Sequence, residues 1–240
     1  MIDGTTSGEN RDMQTNVRNW LVAIWVLCAT GWASAQAMVY TATPTGPYPT
    51  KVDFTAPCGA GPCQNYVLSA PPSGSFRTAS PLPGSLINTD ITPLVTSFNF
   101  SDGINAYSNI DPSARIVQIL ATTDPSGAIV GASFFVQRWL TGSAPHIVND
   151  RFSGMLVFGV AASALHNVPC ITTGVAPSGA ADTCIGGLTD ASSSTAGPVT
   201  LAWSAAAAPA AIPSLSEWGL AIMAGLMALA SFAALRRKSL

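Results

Sequence analysis

Charged residues are scarce in this chain: Asp, Glu, Lys and Arg make up 9% of its 240 residues, and the net charge is −2. A charge this small gives no basic surface for nucleic acid. The sequence also lacks a Gly-rich phosphate loop and a Gly-x-Ser-x-Gly nucleophile motif. Between residues 38 and 204 it has no glutamate and only two histidines, His146 and His166. With so few acid–base residues, we predict that the protein is not an enzyme and needs no cofactor.

Long apolar runs are confined to the two ends of the chain, and the longer one is the uncharged segment 218–235. A helix over these residues would be about 27 Å long, close to the ~30 Å thickness of a bilayer's hydrocarbon core. A basic cluster follows it: Arg236, Arg237 and Lys238. The positive-inside rule places such a cluster on the cytoplasmic side. We expect a transmembrane helix over 218–235 with the preceding domain outside the cytoplasm; the alternative is a buried core helix.

The N-terminal apolar run, 20–33, follows Arg18 and is short for a spanning helix. Small residues come next, and two overlapping Ala-x-Ala patterns end at Ala35 and Ala37. This order predicts a secretory signal peptide within residues 1–37, behind a polar N-terminal extension, with cleavage after Ala35 or Ala37. The alternative is an uncleaved N-terminal anchor.

Residues 38–204 then form one exported domain, 205–211 an Ala/Pro linker and 212–240 a C-terminal signal. The domain is rich in Ser, Thr, Gly, Pro and Ala, a composition typical of strands and turns. We therefore predict a mainly β fold, an antiparallel β-sandwich-like domain.

A hairpin is the best-defined unit within this domain. Apolar, β-branched runs at 115–123 and 128–140 flank Asp124-Pro125-Ser126-Gly127, whose residue order suits a type I turn. Phe134 and Phe135 point to opposite faces, which predicts a strand covered on both sides. Further strands are predicted from alternating apolar residues, and the chain from 161 to 196 is predicted to be loop. Those strands cover residues 50–55, 64–68, 93–100, 152–160 and 198–204.

Cysteine is infrequent, and one of the five lies in the predicted signal peptide. Four remain in the domain: Cys58, Cys63, Cys170 and Cys184. An even number in an exported domain indicates disulfides, although four cysteines allow three connectivities. We favour two local pairs, 58 with 63 and 170 with 184, since each pair lies in a Gly/Pro-rich segment.

Two metal sites are weaker alternatives, and we predict that the domain binds no metal. His166 precedes Cys170 by four residues and could join Cys58 and Cys63 in a zinc tetrad, but the spacing matches no familiar zinc module. A calcium site could use oxygen ligands from four residues, but they lack the closing glutamate of an EF-hand loop. These four are Asp102, Asn105, Asn109 and Asp111.

Catalytic and sugar-binding alternatives rest on equally few residues. His146 and Asp150 could form an acid–base pair with Ser143 as a distant nucleophile. Three aspartates could supply the paired carboxylates of a glycosidase, but each precedes Gly or Pro, as turn residues do. They are Asp102, Asp111 and Asp124. Exposed rings at Tyr107 and Trp139 could stack on sugars.

The C-terminal signal carries a short motif just before the apolar run. Its residues are Ile212, Pro213, Ser214 and Leu215, then Trp218 and Gly219. With the apolar segment and the basic cluster, it resembles the IPTL-CTERM protein-sorting domain of Gram-negative bacteria, with Ser214 in place of Thr. The resemblance implies cleavage near 213–215 by an exosortase-type membrane transpeptidase. The domain would then be released or attached to an envelope polymer.

The sequence thus predicts an exported protein of the cell envelope or extracellular matrix, held in the inner membrane as a precursor. Its expected partners are the membrane, the exosortase-type enzyme and an extracellular polysaccharide, with no role for nucleic acid. The alternatives are a carbohydrate-binding or adhesin module, which requires exposed aromatic rings, and an exported hydrolase, which requires a cleft at His146.

Overall fold

A computed structural model describes residues 36–55, 57–209, 221 and 223–228. Residues 36–55 and 57–209 form twelve strands and one short 3-10 helix, Thr92–Leu94. The strands are β1 Met38–Pro44, β2 Lys51–Val52, β3 Ser73–Thr78, β4 Thr89–Asp90, β5 Val95–Ser101, β6 Ala106–Ser108, β7 Ala114–Thr123, β8 Ile129–Trp139, β9 Arg151–Phe158, β10 Ala161–Gly174, β11 Thr183–Gly187 and β12 Ser194–Ala207.

The strands are paired in the order β4-β7-β8-β9-β10-β12-β1-β3-β5-β6, with β11 beside β10 and β2 beside β12. Every described pair is antiparallel. The mainly β, antiparallel prediction is therefore confirmed. Both ends of the order are very short strands, β4 and β6, which leaves little free edge for other chains to pair with.

The long strand β12 divides this order into two half-sheets. Its first part pairs with β10 through Thr200, and its second part, from Leu201, pairs with β1. We call β1, β3, β5, β6 and the end of β12 the first half-sheet. The second half-sheet contains the start of β12 and strands β4 and β7 to β10.

The two half-sheets share one apolar core. Phe100 of the first half-sheet contacts Phe134 of the second, with ring centroids 4.9 Å apart. Trp203 of β12 lies edge-on to both Phe76 and Phe134. Burying rings from both half-sheets against each other removes a large apolar area from water, which is the main force holding such layers together.

The predicted hairpin is confirmed as β7 and β8. The Asp124 carboxylate accepts hydrogen bonds from the backbone N–H groups of Ser126 and Ala128, as a turn of this type requires. Phe134 enters the main core and Phe135 packs on a second cluster, so this strand is covered on both faces.

Predictions for the other strands were partly wrong. Residues 161–196 were predicted to be loop, but they contain β10, β11 and the start of β12. Residues 64–68 form no strand, and only Lys51–Val52 of 50–55 is extended in a ladder. Residues 93–100 and 152–160 are close to β5 and β9. The last strand begins before 198 and continues to Ala207, past the predicted domain boundary at 204.

The C-terminal apolar segment lies mostly outside the described residues. Residues 221 and 223–228 are helical. Within the part of the chain that the structure describes, no helix meets the length and hydropathy needed to cross a bilayer.

Candidate functional site

The domain begins and ends on neighbouring strands. Met38 of β1 lies opposite Ala207 of β12, and the backbone N–H of Ala208 donates to the Ala37 carbonyl at 2.7 Å. Tyr40 and Ala42 fix the register, because their side chains are buried in the core while their neighbours are not. The two chain segments that flank the domain therefore leave it side by side.

The predicted C-terminal motif lies beyond this junction, outside the described residues. This applies to Ile212, Pro213, Ser214, Leu215, Trp218 and Gly219, and to Arg236, Arg237 and Lys238. Of the two predicted signal-peptide cleavage positions, Ala35 lies outside the described residues too. Ala37 is described and contributes its carbonyl to the junction.

Both predicted disulfides are present, Cys58–Cys63 and Cys170–Cys184. The second one is buried and joins β10 to β11. We call the group around it the Trp139 cluster: Trp139, His146, Phe152, Cys170, Asp182 and Cys184. Because all four thiols are bonded, the zinc alternative is wrong. No group of three potential metal ligands from His, Cys, Asp and Glu is found among the described residues.

Asp102 is the centre of a buried polar group that the sequence did not predict. We call it the Asp102 cluster: Tyr48, Tyr66, Asp102, Asn105, Tyr107 and His166. Every member has an exposed fraction of 5% or less. The carboxylate accepts from the Tyr66 hydroxyl at 3.0 Å and from the Tyr107 hydroxyl. The Tyr48 hydroxyl donates to the backbone carbonyl of Asp102 at 2.8 Å.

Asn105 completes the cluster and links it to His166. Its backbone N–H donates to Asp102 Oδ1 at 2.6 Å, and its side-chain amide donates to Oδ2 at 3.0 Å. The same amide lies 3.1 Å from His166 Nδ1, while His166 Nε2 lies 2.5 Å from the Pro62 carbonyl. Since an amide N–H and a carbonyl are the partners, Nδ1 accepts and Nε2 carries the proton. His166 is therefore held as neutral imidazole.

Burial controls the ionisation of this cluster. It raises the pKa of Tyr107 well above its ordinary value, and the nearby Asp102 carboxylate raises it further. The same two causes raise the pKa of Tyr66. Burial also lowers the pKa of His166, against the opposing effect of the Pro62 carbonyl. The tyrosines thus remain hydrogen-bond donors, and the histidine remains uncharged near neutral pH.

The calcium and glycosidase alternatives are not supported by this geometry. Asp102 and Asn105 face each other inside the domain, whereas Asn109 accepts from Phe98 N–H and Asp111 accepts from Ser113. Each carboxylate of the proposed glycosidase set is likewise held by hydrogen bonds from its own loop.

His146 pairs with Asp182 and not with Asp150. Its Nδ1 lies 2.8 Å from Asp182 Oδ2, and its backbone N–H donates to Asp182 Oδ1 at 2.6 Å. The imidazole stacks on Trp139 with ring centroids 4.3 Å apart. Asp150 instead accepts from Ile147 N–H. The predicted pairing of His146 with Asp150 was therefore wrong, and no hydroxyl or thiol among the described residues is hydrogen-bonded to this imidazole.

The aromatic rings expected to bind sugar are buried. Tyr107 is 0% exposed and Trp139 is 4% exposed. The Trp139 indole N–H donates to the Asp182 carbonyl at 2.8 Å, so even its polar edge is occupied. The sequence placed these rings near turns but could not show which way they face. The expectation that they stack on carbohydrate was wrong.

An ion pair ties the loop between β11 and β12, which lies beside the exposed Cys58–Cys63 loop, to β9. Both terminal nitrogens of Arg151 donate to the Asp190 carboxylate, at 2.9 and 2.6 Å. This bidentate contact lowers the pKa of Asp190 to about 2. Asn167, at a bulge of β10, donates to the carbonyls of Ala60 and Ser192 and holds both loops together.

Comparison with known proteins identifies the tail but not the domain. Residues 210–237 match the family model of the IPTL-CTERM motif, as the resemblance predicted. The match begins three residues after the end of β12. No curated protein and no solved structure matches the chain.

Proposed function

We propose that the protein is exported and sorted through its C-terminal tail, and that the β domain is the non-enzymatic cargo delivered to the cell envelope or the extracellular matrix. The observation that carries this proposal is the IPTL-CTERM motif at 210–237, directly behind the last strand. An exosortase-type transpeptidase would recognise the motif and cut it. Both disulfides suit an oxidising compartment outside the cytoplasm.

The side-by-side ends of the domain support the same proposal. Ala37 and Ala208 are hydrogen-bonded neighbours, so the chain enters and leaves the domain at adjacent positions. Two membrane-directed segments that leave from one point can both reach the same bilayer without passing around the domain. Between Ala207 and Trp218 the chain can span at most about 40 Å, so the motif stays between the domain and the membrane.

The state of the acidic residues supports a non-enzymatic role. Asp102, Asp182 and Asp190 are each hydrogen-bonded within the domain. An active site usually presents such groups to a cleft, with an activated nucleophile beside them.

Maturation in the native host tests the proposal. Trp218→Ala and Pro213→Ala should each leave the precursor uncut, because the motif would no longer be recognised. Ser216→Ala, at a variable position inside the motif, is the matched control and should mature normally. Gel mobility and intact mass report the outcome. Normal maturation of both motif variants would remove the proposal.

The N-terminus of the mature protein provides a second, independent test of export. Cleavage after Ala35 keeps the Ala37 carbonyl that accepts from Ala208, whereas cleavage after Ala37 removes it. We therefore expect the mature chain to begin at Gln36. A mass that corresponds to the uncleaved N-terminus would contradict export through a signal peptide.

A further inference from the structure

A groove of about 480 Å³ lies on the outer face of the first half-sheet. Its volume falls in the range that small ligands or one stretch of a polymer occupy. Six of its ten lining residues are polar and come from β3, β5, β6 and the turn after β6: Ser75, Arg77, Ser97, Asn99, Ser108 and Asn109. Val39, Phe76, Phe98 and Ile110 add an apolar floor and rim.

The strand register explains why these polar groups share one face. On β3, Phe76 points into the core, so its neighbours Ser75 and Arg77 point outward. On β5 the same alternation buries Phe98 and Phe100. Cross-strand pairing then sets Arg77 opposite Ser97 and Ser75 opposite Asn99. The result is a compact cluster of hydroxyl and amide groups around one guanidinium.

Arg77 differs from the other arginines of the domain. Arg115, Arg138 and Arg151 each lie within 3.5 Å of an aspartate carboxylate. Arg77 is a half-buried residue, and its guanidinium has neither an ion pair nor a side-chain hydrogen bond within residues 36–55 and 57–209. No Asp or Glu lines the groove. A guanidinium has five N–H donors in a planar fork that matches a carboxylate, and here all of them are available.

We propose that this groove binds an acidic, hydroxyl-rich sugar chain of the uronic acid type. The carboxylate of one sugar would be bound by Arg77, and the hydroxyl groups of that sugar and its neighbours by Asn99, Ser97 and Ser75. Asn109 adds an amide donor, because its side-chain oxygen already accepts from Phe98 N–H at 3.2 Å. The site goes beyond the sorting proposal and does not depend on tail processing.

Charge, and not ring stacking, would supply the affinity. The two aromatic residues in the lining, Phe76 and Phe98, are 1% and 9% exposed, so no ring face is offered to a neutral sugar. A sugar carboxylate that pairs with Arg77 would replace the hydration of the guanidinium with a charge-assisted bidentate contact. The small polar side chains on either side of Arg77 would hydrogen-bond the hydroxyl groups of the sugar.

Calorimetry with the full chain in detergent tests the proposal, with hexagalacturonate as the probe. The wild-type protein should bind it, and Arg77→Gln should weaken binding about tenfold or more, which is the loss expected for one charge-assisted contact. Lys51→Gln, which removes the same charge from an exposed site outside the groove, is the matched control and should change affinity less than about twofold.

A second variant keeps the test decisive if Arg77→Gln does not fold. Ser97→Asp retains the arginine but sets a carboxylate directly opposite it, so the guanidinium is neutralised from within and binding should also be lost. Maltohexaose, a neutral sugar chain, should bind at least about tenfold more weakly than the acidic one. Equal binding of the two sugars, unchanged affinity in Arg77→Gln, no binding of hexagalacturonate, or tighter binding of an acidic peptide would each overturn the proposal.

Discussion

The Asp102 cluster and the Trp139 cluster fix loops onto the same sheet by different means. In the first, a buried carboxylate is surrounded by neutral donors: Asn105 and Tyr107, close in sequence, and Tyr66, 36 residues away. In the second, a disulfide and stacked rings lie at the centre, and the hydrogen-bonded pair of His146 and Asp182 lies at the edge. A buried polar cluster stabilises the fold only when all of its members are hydrogen-bonded, whereas a disulfide stabilises it whether or not the neighbouring polar groups are all paired.

Removing the central carboxylate should give the largest effect. Asp102→Ala leaves the Tyr66, Tyr107 and Asn105 donors buried without a partner. We expect it to lower the free energy of unfolding by roughly 3–5 kcal/mol, since each such donor costs about 1–3 kcal/mol. Urea unfolding measures this. Asp53→Ala, an exposed control, should stay within about 0.5 kcal/mol of the wild type. Equal losses in the two variants would mean that the Asp102 cluster contributes no more to stability than an exposed carboxylate does.

The two disulfides should differ in the same direction as their burial. Replacing Cys170 and Cys184 by Ala opens a loop of sequence separation 14, whereas replacing Cys58 and Cys63 opens one of separation 5. Chain entropy alone gives losses of about 3 and about 2 kcal/mol respectively. Removing sulfur from the Trp139 cluster should widen the gap. Thermal unfolding of the two double variants checks the order, and a larger loss for the exposed pair would contradict it.

The hydrogen bonds between His146 and Asp182, at the edge of the Trp139 cluster, should contribute less. Asp182 has a φ of 56°, a left-handed conformation that Asn also tolerates. Asp182→Asn therefore removes the charge without straining the loop, and we expect a loss of about 1 kcal/mol or less. Asp182→Ala is the companion variant, which adds backbone strain and should be the less stable of the two. Urea midpoints decide between them.

The smallest effect should be one of pH. Because burial lowers the pKa of His166 below its ordinary 6.5, the unfolded chain binds a proton before the folded one does. The contribution of His166 is fully present above pH 6.5 and is lost as the pH falls toward the lower folded value. Unfolding midpoints measured above and below pH 6.5 should show stability falling as the pH is lowered. His166→Asn should flatten it, and an unchanged slope in that variant would assign the effect elsewhere.

Local signals explain what the sequence could predict. The hairpin at 124–127 depends on residues that contact each other, so its turn chemistry was readable, and each disulfide joins cysteines close in sequence. Strand β10 was missed because its small and polar residues lack alternation, and it is stabilised by distant partners in β9 and β12. The bulge near Asn167 further disrupts its periodicity.

The candidate sites show the same limit. Asp102 precedes Gly103 and does form a local turn, with Ile104 N–H donating to its carboxylate at 2.8 Å. The turn signal gave no indication that Asp102 is also the centre of a buried hydrogen-bonded cluster, because Tyr48 and Tyr66 lie 54 and 36 residues away in sequence. The C-terminal motif, in contrast, is a linear signal read as sequence, so it was identified without any structure.

The shared strand β12 also sets the order in which the molecule can be completed. Its first part pairs with β10 and its second part with β1, the strand synthesised first. A chain that emerges from its N-terminus must therefore keep β1 and β10 with open edges until residue 207 has appeared. For a protein passing through a translocation channel, that is nearly the moment when the tail itself arrives. Completion of the fold and emergence of the tail would then coincide. A chain that stalled before this point would expose unpaired edges of β1 and β10 to envelope chaperones.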